Sequence, residues 1–425
     1  MSIFTRVIRF SVFGIIAASV QPSVSKALAS SSDKIYIRFS NEESLKQFLM
    51  NNPESQRVHP MLPWVEASEQ QSFLESSREL ASRGIDKVER NQWQYRIPKP
   101  VVSAQEFADI PNQKLWGITK IGSPQAWRHT QGGRDVIVAV IDTGIDYNHP
   151  ALSGNMWTND AELNGRPGVD DDGNGNVDDI HGVDFISGRA TPLDDEGHGS
   201  HVAGTIAGRR TGDAFFGVAP NVRLMAIKTH NAAGEGSKLS VVKGILYAAD
   251  HGARVLNCSW GGAPEAGEFD QMLFDAIAYA NNKGAVLIAS AGNNSANNDV
   301  GIHYPSNYEL PGIISVASSN PDDRRSYFSN YGSKTVDLAA PGSNILSAAR
   351  GGQGYVSLSG TSMASPHVSG AVALLASTEA GRRMTPAQLR EALMDNVEKS
   401  SVWNNRVISG GRLSVEFIGK ASKAD

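Results

Sequence analysis

The sequence predicts an α/β protein, a mostly parallel sheet with helices on both faces, preceded by a small α+β unit. Five short apolar runs, Val136 to Ile141, Val222 to Ile227, Ala253 to Leu256, Ala285 to Ala289 and Ile313 to Val316, have the near-continuous hydrophobicity of strands buried on both faces. Stretches of helical composition lie between them, Leu239 to Ala249 and Phe269 to Asn281, and helical crossovers pair strands in parallel. Ahead of this alternation, Lys34 to Phe39 alternates apolar and polar side chains with period two, and Trp93, Tyr95 and Ile97 repeat the pattern.

From the start, Arg6 and Arg9 precede the apolar run Phe10 to Val20 and the small-residue signal Ala27-Leu28-Ala29, which together read as a secretory signal peptide over residues 1–29. A membrane anchor is the other reading, but the run is short of the roughly 20 residues a spanning helix needs. After Lys34 to Phe39, Ser40 is placed to cap a helix through Leu45, Phe48 and Leu49, with Glu43 completing a capping box. Phe73, Leu74 and Leu80 recur at helical spacing, Val88 to Ile97 returns to strand composition, and Pro98 and Pro100 end it. Residues 30–110 thus form one unit and 111–425 the larger α/β domain. A late helix is expected from Thr385, with Pro386 at its first position and Gln388 completing a capping box. The Gly410-Gly411 turn follows, with no accessory domain expected after it.

The 425 residues are 40% hydrophobic and 20% charged, with a formal charge of -5, which suits a soluble chain with a large core and offers no basic patch for nucleic acid. Cys258 is the single cysteine, so no intramolecular disulfide forms, and it reads as a small buried hydrophobe rather than a nucleophile.

Chemistry concentrates in four motifs. Ser362 lies in Gly360-Thr361-Ser362-Met363-Ala364-Ser365-Pro366-His367, just ahead of the apolar stretch Val368 to Ala376, so its hydroxyl stands at a helix N-terminus where unpaired N–H groups favour anions. Val140-Ile141-Asp142-Thr143-Gly144 ends an apolar run, and Gly197-His198-Gly199-Ser200-His201 opens another helix. A serine hydroxyl needs an imidazole to take its proton and a carboxylate to orient that imidazole, roles that Ser362, His198 and Asp142 can fill. Ser290-Ala291-Gly292-Asn293 places an amide after a strand, suited to stabilising an oxyanion. His201 and His367 read as packed, hydrogen-bonded histidines. A lipase-type elbow is excluded, because Ala364 stands where its second glycine would be and the acid and base precede the serine.

These motifs resemble those of the subtilisin-like serine proteases, from Pro111 to Val415, about three quarters of the chain. Ser200 stands where threonine is usual; a hydroxyl is kept and little effect is expected. The resemblance implies a subtilisin-like fold, an endopeptidase acting through an acyl-enzyme, and an N-terminal propeptide that assists folding and inhibits the enzyme. A separate binding module is the other reading of that unit. It further implies that Ser259, Trp260 and Gly261 pair with an extended peptide substrate, that Gly234 and Gly236 form the opposite rim, and that His303, before Tyr304-Pro305, lies near the floor of the pocket for the residue preceding the cleaved bond. Unperturbed, that imidazole would charge near pH ~6.5.

Between Asp142 and His198 runs Gly168-Val169-Asp170-Asp171-Asp172-Gly173-Asn174-Gly175-Asn176-Val177-Asp178-Asp179. Calcium takes six to eight oxygen ligands, and Asp170, Asp172, Asn174 and Asp179, with a carbonyl near Asn176, supply several. The spacing is like the first half of an EF-hand loop without its terminal Glu; a solvated acidic turn is the alternative. His149-Pro150-Ala151-Leu152 lacks the acid that many relatives use for a different calcium site.

The reading is a secreted, extracellular or periplasmic, propeptide-bearing serine endopeptidase, expected to be a monomer with peptide or protein substrates, its own propeptide as partner, structural calcium, no membrane anchor and no organic cofactor. A non-catalytic peptide-binding descendant and a calcium-dependent structural module are the alternatives from other classes.

Overall fold

The computed structural model describes residues 34–68, 77–90, 94–98, 101–107, 115–209, 217–263, 268–352 and 354–418. The expected signal sequence lies outside the described residues, as do Phe73, Leu74, Trp93 and Pro100.

The larger domain is built on a nine-stranded sheet in the order Glu398–Lys399, Gly411–Arg412, Leu338–Pro341, Ile313–Ser319, Val286–Ser290, Val255–Cys258, Ile137–Asp142, Arg223–Lys228, Gly182–Asp184. Its neighbours are parallel except the first pair. The five expected strands are all present, shifted by one or two residues at most of their ends. Alternation along Ile137–Asp142 explains the layers: Ile137, Ala139 and Ile141 enter one core with helices Lys238–Asp250 and Gln271–Asn282, while Val138 and Val140 enter the other with helices His198–Ala207 and Thr361–Ala376. Every residue of Thr361–Ala376 is buried, as befits a helix apolar nearly all round. It packs on the four central strands from Val255–Cys258 to Leu338–Pro341.

From Ile137–Asp142 the order runs one way to Arg223–Lys228 and Gly182–Asp184, then the other way through Val255–Cys258. In open α/β sheets such a reversal opens a crevice at the carboxyl ends of the strands. Asp142 ends one strand at this point and Ser259 follows the other.

The N-terminal unit is a four-stranded antiparallel sheet, ordered Gln56–Arg57, Trp64–Ser68, Lys34–Phe39, Ile85–Arg90, carrying helix Glu42–Asn51. Period two again sorts the side chains. Ile35, Ile37 and Phe39 form the unit's own core with Leu45, Val65, Ala67 and Ile85, whereas Tyr36 and Trp64 join the larger domain's core. On that docking face Arg38 Nε and Trp64 Nε1 donate to Asp275 Oδ2 at 2.9 and 2.8 Å.

Two local expectations are corrected. The first helix is capped by Asn41, whose side chain accepts from Ser44 N, because Ser40 Oγ is engaged with the Gly84 carbonyl. Val88 to Ile97 is not one strand: Ile85–Arg90 stays in the N-terminal sheet, whereas Gln94–Arg96 joins Glu235–Ser237 of the larger domain. The capping box at Thr385 and Gln388 forms as expected. Among the described residues no helix is long and apolar enough to cross a membrane.

Candidate active site

Asp142, at the last position of its strand, accepts from Thr143 N at 2.8 Å and meets His198 Nδ1 through Oδ1 at 2.8 Å and Oδ2 at 3.0 Å, with both side chains buried. The approach is so close that a Cβ on Gly199 would fall 2.0 Å from the Gly144 carbonyl oxygen, so only glycine fits after His198. Burial opposes charge on His198, but Asp142, with Glu196 and Asp194 beyond it, outweighs that and raises its pKa.

Asp194, which the sequence reading did not single out, ties the two loops together. Its carboxylate accepts from Thr143 Oγ1, Ser200 N and Ser200 Oγ. Ser200 Oγ in turn accepts from Asp146 N at 2.8 Å, so the hydroxyl kept at this position is fully used.

Ser362 sits in the first turn of its helix, 1% exposed. Its Oγ donates to the Ser259 carbonyl at 2.9 Å, and Ser259 Oγ donates back to the Ser362 carbonyl at 3.0 Å. His198 Nε2 is buried without a hydrogen-bond partner. Asn293 Oδ1 accepts from Thr361 N at 2.9 Å and Thr361 Oγ1 at 2.8 Å. Its Nδ2 lies over the turn, since a Cβ on Gly360 would come within 3.3 Å of it.

His201 and His367 are hydrogen-bonded and held neutral. His201 Nε2 reaches the Ile345 and Val356 carbonyls and His367 Nδ1 the Met363 carbonyl; burial lowers their pKa values to about 3 and about 4. Burial, and then Asp142, push the Cys258 thiol well up, so it is no thiolate nucleophile at neutral pH.

The two expected rims face one another with the chain's own residues between them. Gln94–Arg96 pairs antiparallel with Glu235–Ser237, placing Tyr95 opposite Gly236. On the other side Arg96 N donates to the Gly261 carbonyl and Gly261 N to the Arg96 carbonyl, both at 3.2 Å, while Ile97 N donates to the Gly234 carbonyl at 3.0 Å. Trp260 is completely buried, donates to the Ile141 carbonyl at 2.7 Å and lies tilted against Tyr95 with ring centroids 5.2 Å apart, so it is core and also touches the strand between the rims. Beyond Pro98 the chain continues to strand Val101–Phe107, which pairs with Tyr355–Ser359 just ahead of the Ser362 turn.

His303 is wedged behind the rim. Cβ atoms on Gly261 and Gly292 would fall 2.2 Å from its Cε1 and 3.1 Å from its Nε2. Burial lowers its pKa to about 4, well below the free value, so it is neutral at neutral pH.

The acidic loop folds on itself. Asp170 accepts from Gly173, Asn174 and Gly175 N–H groups, so its carboxylate closes its own turn. Asp172 and Asp179 instead meet Glu162, with carboxylate oxygens of all three within 4.8 Å of one another, a cluster able to hold a metal ion. Asn174 donates to Asp172 and Asp179 through Nδ2 at 2.9 and 3.0 Å, and its Oδ1 accepts from Asn176. Glu162 was missed because it lies outside the Asp-Gly-Asn block, on the short helix Asp160–Leu163.

A family model for subtilases, peptidase family S8, matches residues 133–410, which contain all four motifs. The chain belongs to the subtilase family. It is a serine endopeptidase. This subtilase is 38% identical over 293 residues to thermitase of Thermoactinomyces vulgaris, covering 68% of its own length and 90% of the relative. It is 31% identical over 384 residues to an alkaline protease of Alkalihalobacillus alcalophilus, covering 85% of its own length and 88% of that protein. Its structure is similar to that of fervidolysin from Fervidobacterium pennivorans, a keratinolytic enzyme related to subtilisin, with a TM-score of 0.72 and 26% identity over 91% of this chain and 61% of the other.

Proposed function

We propose that this subtilase is exported behind a signal at residues 1–29, that residues 30–110 are a propeptide, and that the domain 111–425 cleaves proteins as a monomer outside the cytoplasm. Ser362 is the nucleophile. Its proton passes to His198 Nε2 as Oγ bonds the scissile carbonyl carbon; Asp142 holds the imidazole through Nδ1; Asn293 Nδ2 donates to the developing oxyanion. His198 then protonates the departing amine, and water hydrolyses the acyl-enzyme.

The observation that carries this reading is the strand Gln94–Arg96, with Ile97 after it, hydrogen-bonded to both rims, since only an extended peptide offers main-chain donors and acceptors to both. Continuing the antiparallel register from the Arg96 and Gly261 pair sets Pro98 opposite Ser259. Proline has no N–H to give the Ser259 carbonyl, which takes the Ser362 hydroxyl instead. In this reading a substrate residue with an N–H displaces that hydroxyl and frees it for His198. The experiment is intact mass and N-terminal sequencing of the protein accumulated by a producing cell, which should show a new N-terminus between Pro98 and Asn112. A product that keeps residues 30–110 would make that unit a binding module.

His303 is proposed to shorten the pocket for the residue preceding the cleaved bond. His303→Gly should raise kcat/KM for peptides with phenylalanine there by about tenfold relative to alanine, the scale set by filling a cavity of that kind. An unaltered profile on a peptide library would retire the idea.

The acidic cluster fits calcium. Asp179 and Glu162 are buried and Asp172 lies beside them, flanked by amides, the Tyr247 hydroxyl and His251 Nε2 at 3.8 Å from Asp172 Oδ2, so three carboxylates converge where a bound divalent cation would balance them. Glu162, Asp172 and Asp179 would hold the ion, which tethers the loop between Asp142 and His198. Saturating calcium, at about 100 times its dissociation constant, should add about 2.7 kcal/mol of stability by linkage. Chelation should lower the thermal midpoint of the wild type and leave that of Glu162→Gln/Asp172→Asn unmoved; an equal chelator response in both would place the metal elsewhere.

A further inference from the structure

The strand that fills the cleft also shows what one deep pocket accepts. Tyr95 is 1% exposed, with its ring against Trp260 and its hydroxyl donating to Asp270 Oδ2 at 2.5 Å. Asp270 caps helix Gln271–Asn282 through Oδ1, which accepts from Leu273 N at 3.0 Å. Lys238 Nζ, completely buried, stands 3.3 Å from Asp270 Oδ2 and 2.6 Å from Glu89 Oε2. Tyr95 and Glu89 belong to the N-terminal unit; Asp270, Lys238 and Trp260 belong to the larger domain. When the unit departs, the pocket keeps an aromatic wall and a carboxylate paired with an ammonium at its base.

We propose that Asp270, supported by Lys238, is a specificity-determining residue that selects a tyrosine side chain in the substrate at the fourth residue before the cleaved bond. The proposal rests on reading Gln94–Ile97 as substrate-like, with Pro98 as the first residue before the bond. A phenylalanine fills the same walls but removes the phenolic donor at 2.5 Å, leaving Asp270 Oδ2 only the longer 3.3 Å contact with Lys238. Losing a hydrogen bond to a buried charged group costs enough to reject such an analogue.

The test uses wild-type enzyme matured from the full chain and four peptides that share Arg-Ile-Ala before the cleaved bond and differ by tyrosine, phenylalanine, leucine or alanine ahead of them. We expect kcat/KM for tyrosine to exceed that for phenylalanine by about tenfold or more, with phenylalanine above alanine. Asp270→Asn, which keeps a helix-capping side chain, should reduce the tyrosine-to-phenylalanine ratio to below about threefold. Phenylalanine equal to or better than tyrosine in the wild type would overturn the selection for a hydroxyl while leaving the cleft reading intact. Four equal rates would overturn both, since the position would then bind no pocket. An undiminished ratio in Asp270→Asn would remove the role from Asp270. The wild-type series decides the matter even where the variant does not fold.

Discussion

Ser362→Ala is expected to lower kcat by about 10⁶, the scale known for loss of the nucleophile in subtilisin itself, and to accumulate with residues 30–110 still attached. Both effects follow from one cause. Gln94–Arg96 lies between the rims and Val101–Phe107 pairs with Tyr355–Ser359 just ahead of the Ser362 turn, so the proposed cut, between Pro98 and Asn112, belongs to a segment whose described flank is held beside the serine of the same molecule. Without the hydroxyl no acyl-enzyme forms, and the segment remains both covalently joined and hydrogen-bonded in the cleft. Gel mobility, intact mass and hydrolysis of an unrelated protein substrate measure the two consequences separately. A variant that sheds the segment at the wild-type rate in pure culture would mean that another residue or another protease performs the cut.

Asn293→Ala should cost about 10²–10³ in kcat with little change in KM, again on the scale known for the oxyanion donor of subtilisin. The geometry separates the two ends of this amide. Oδ1 is held by Thr361 N and Thr361 Oγ1, which fixes the side chain, while Nδ2 points over Gly360 toward the serine turn. A donor held this way bonds more strongly to a tetrahedral oxyanion than to the planar carbonyl, so the loss falls on the chemical step. Steady-state kinetics on one peptide substrate decide it: a change confined to KM would make Asn293 a ground-state binding residue.

The helical crossovers and the buried apolar runs made the central sheet legible, because strands covered on both faces need no partner information to be recognised. Gly182–Asp184 and Leu338–Pro341 were not legible. They are three and four residues long, and the second ends in proline, so neither carries a period. Asp142, His198, Ser362 and Asn293 could be named because each lies in a local motif at an element end. Glu162 could not, because it lies outside the acidic block on its own short helix, nor could Asp194 and Asp270, which act on Thr143 and Tyr95, far away in sequence. Asp270 meets Tyr95 across 175 positions, and nothing local to either marks the pair. The alternation along Lys34–Phe39 announced two faces, yet only the folded chain shows that one of them is covered by the larger domain through Asp275.

The central claim, that Ser362 is the nucleophile activated by His198 and Asp142, is tested most directly by reacting the enzyme with a serine-directed phosphonate and mapping the modified peptide by mass spectrometry. One phosphonyl group per molecule is expected, carried on Ser362 in the wild type, with no labelling of Ser362→Ala and strongly slowed labelling of His198→Ala. A label on any other residue, or an undiminished label in Ser362→Ala, would contradict it.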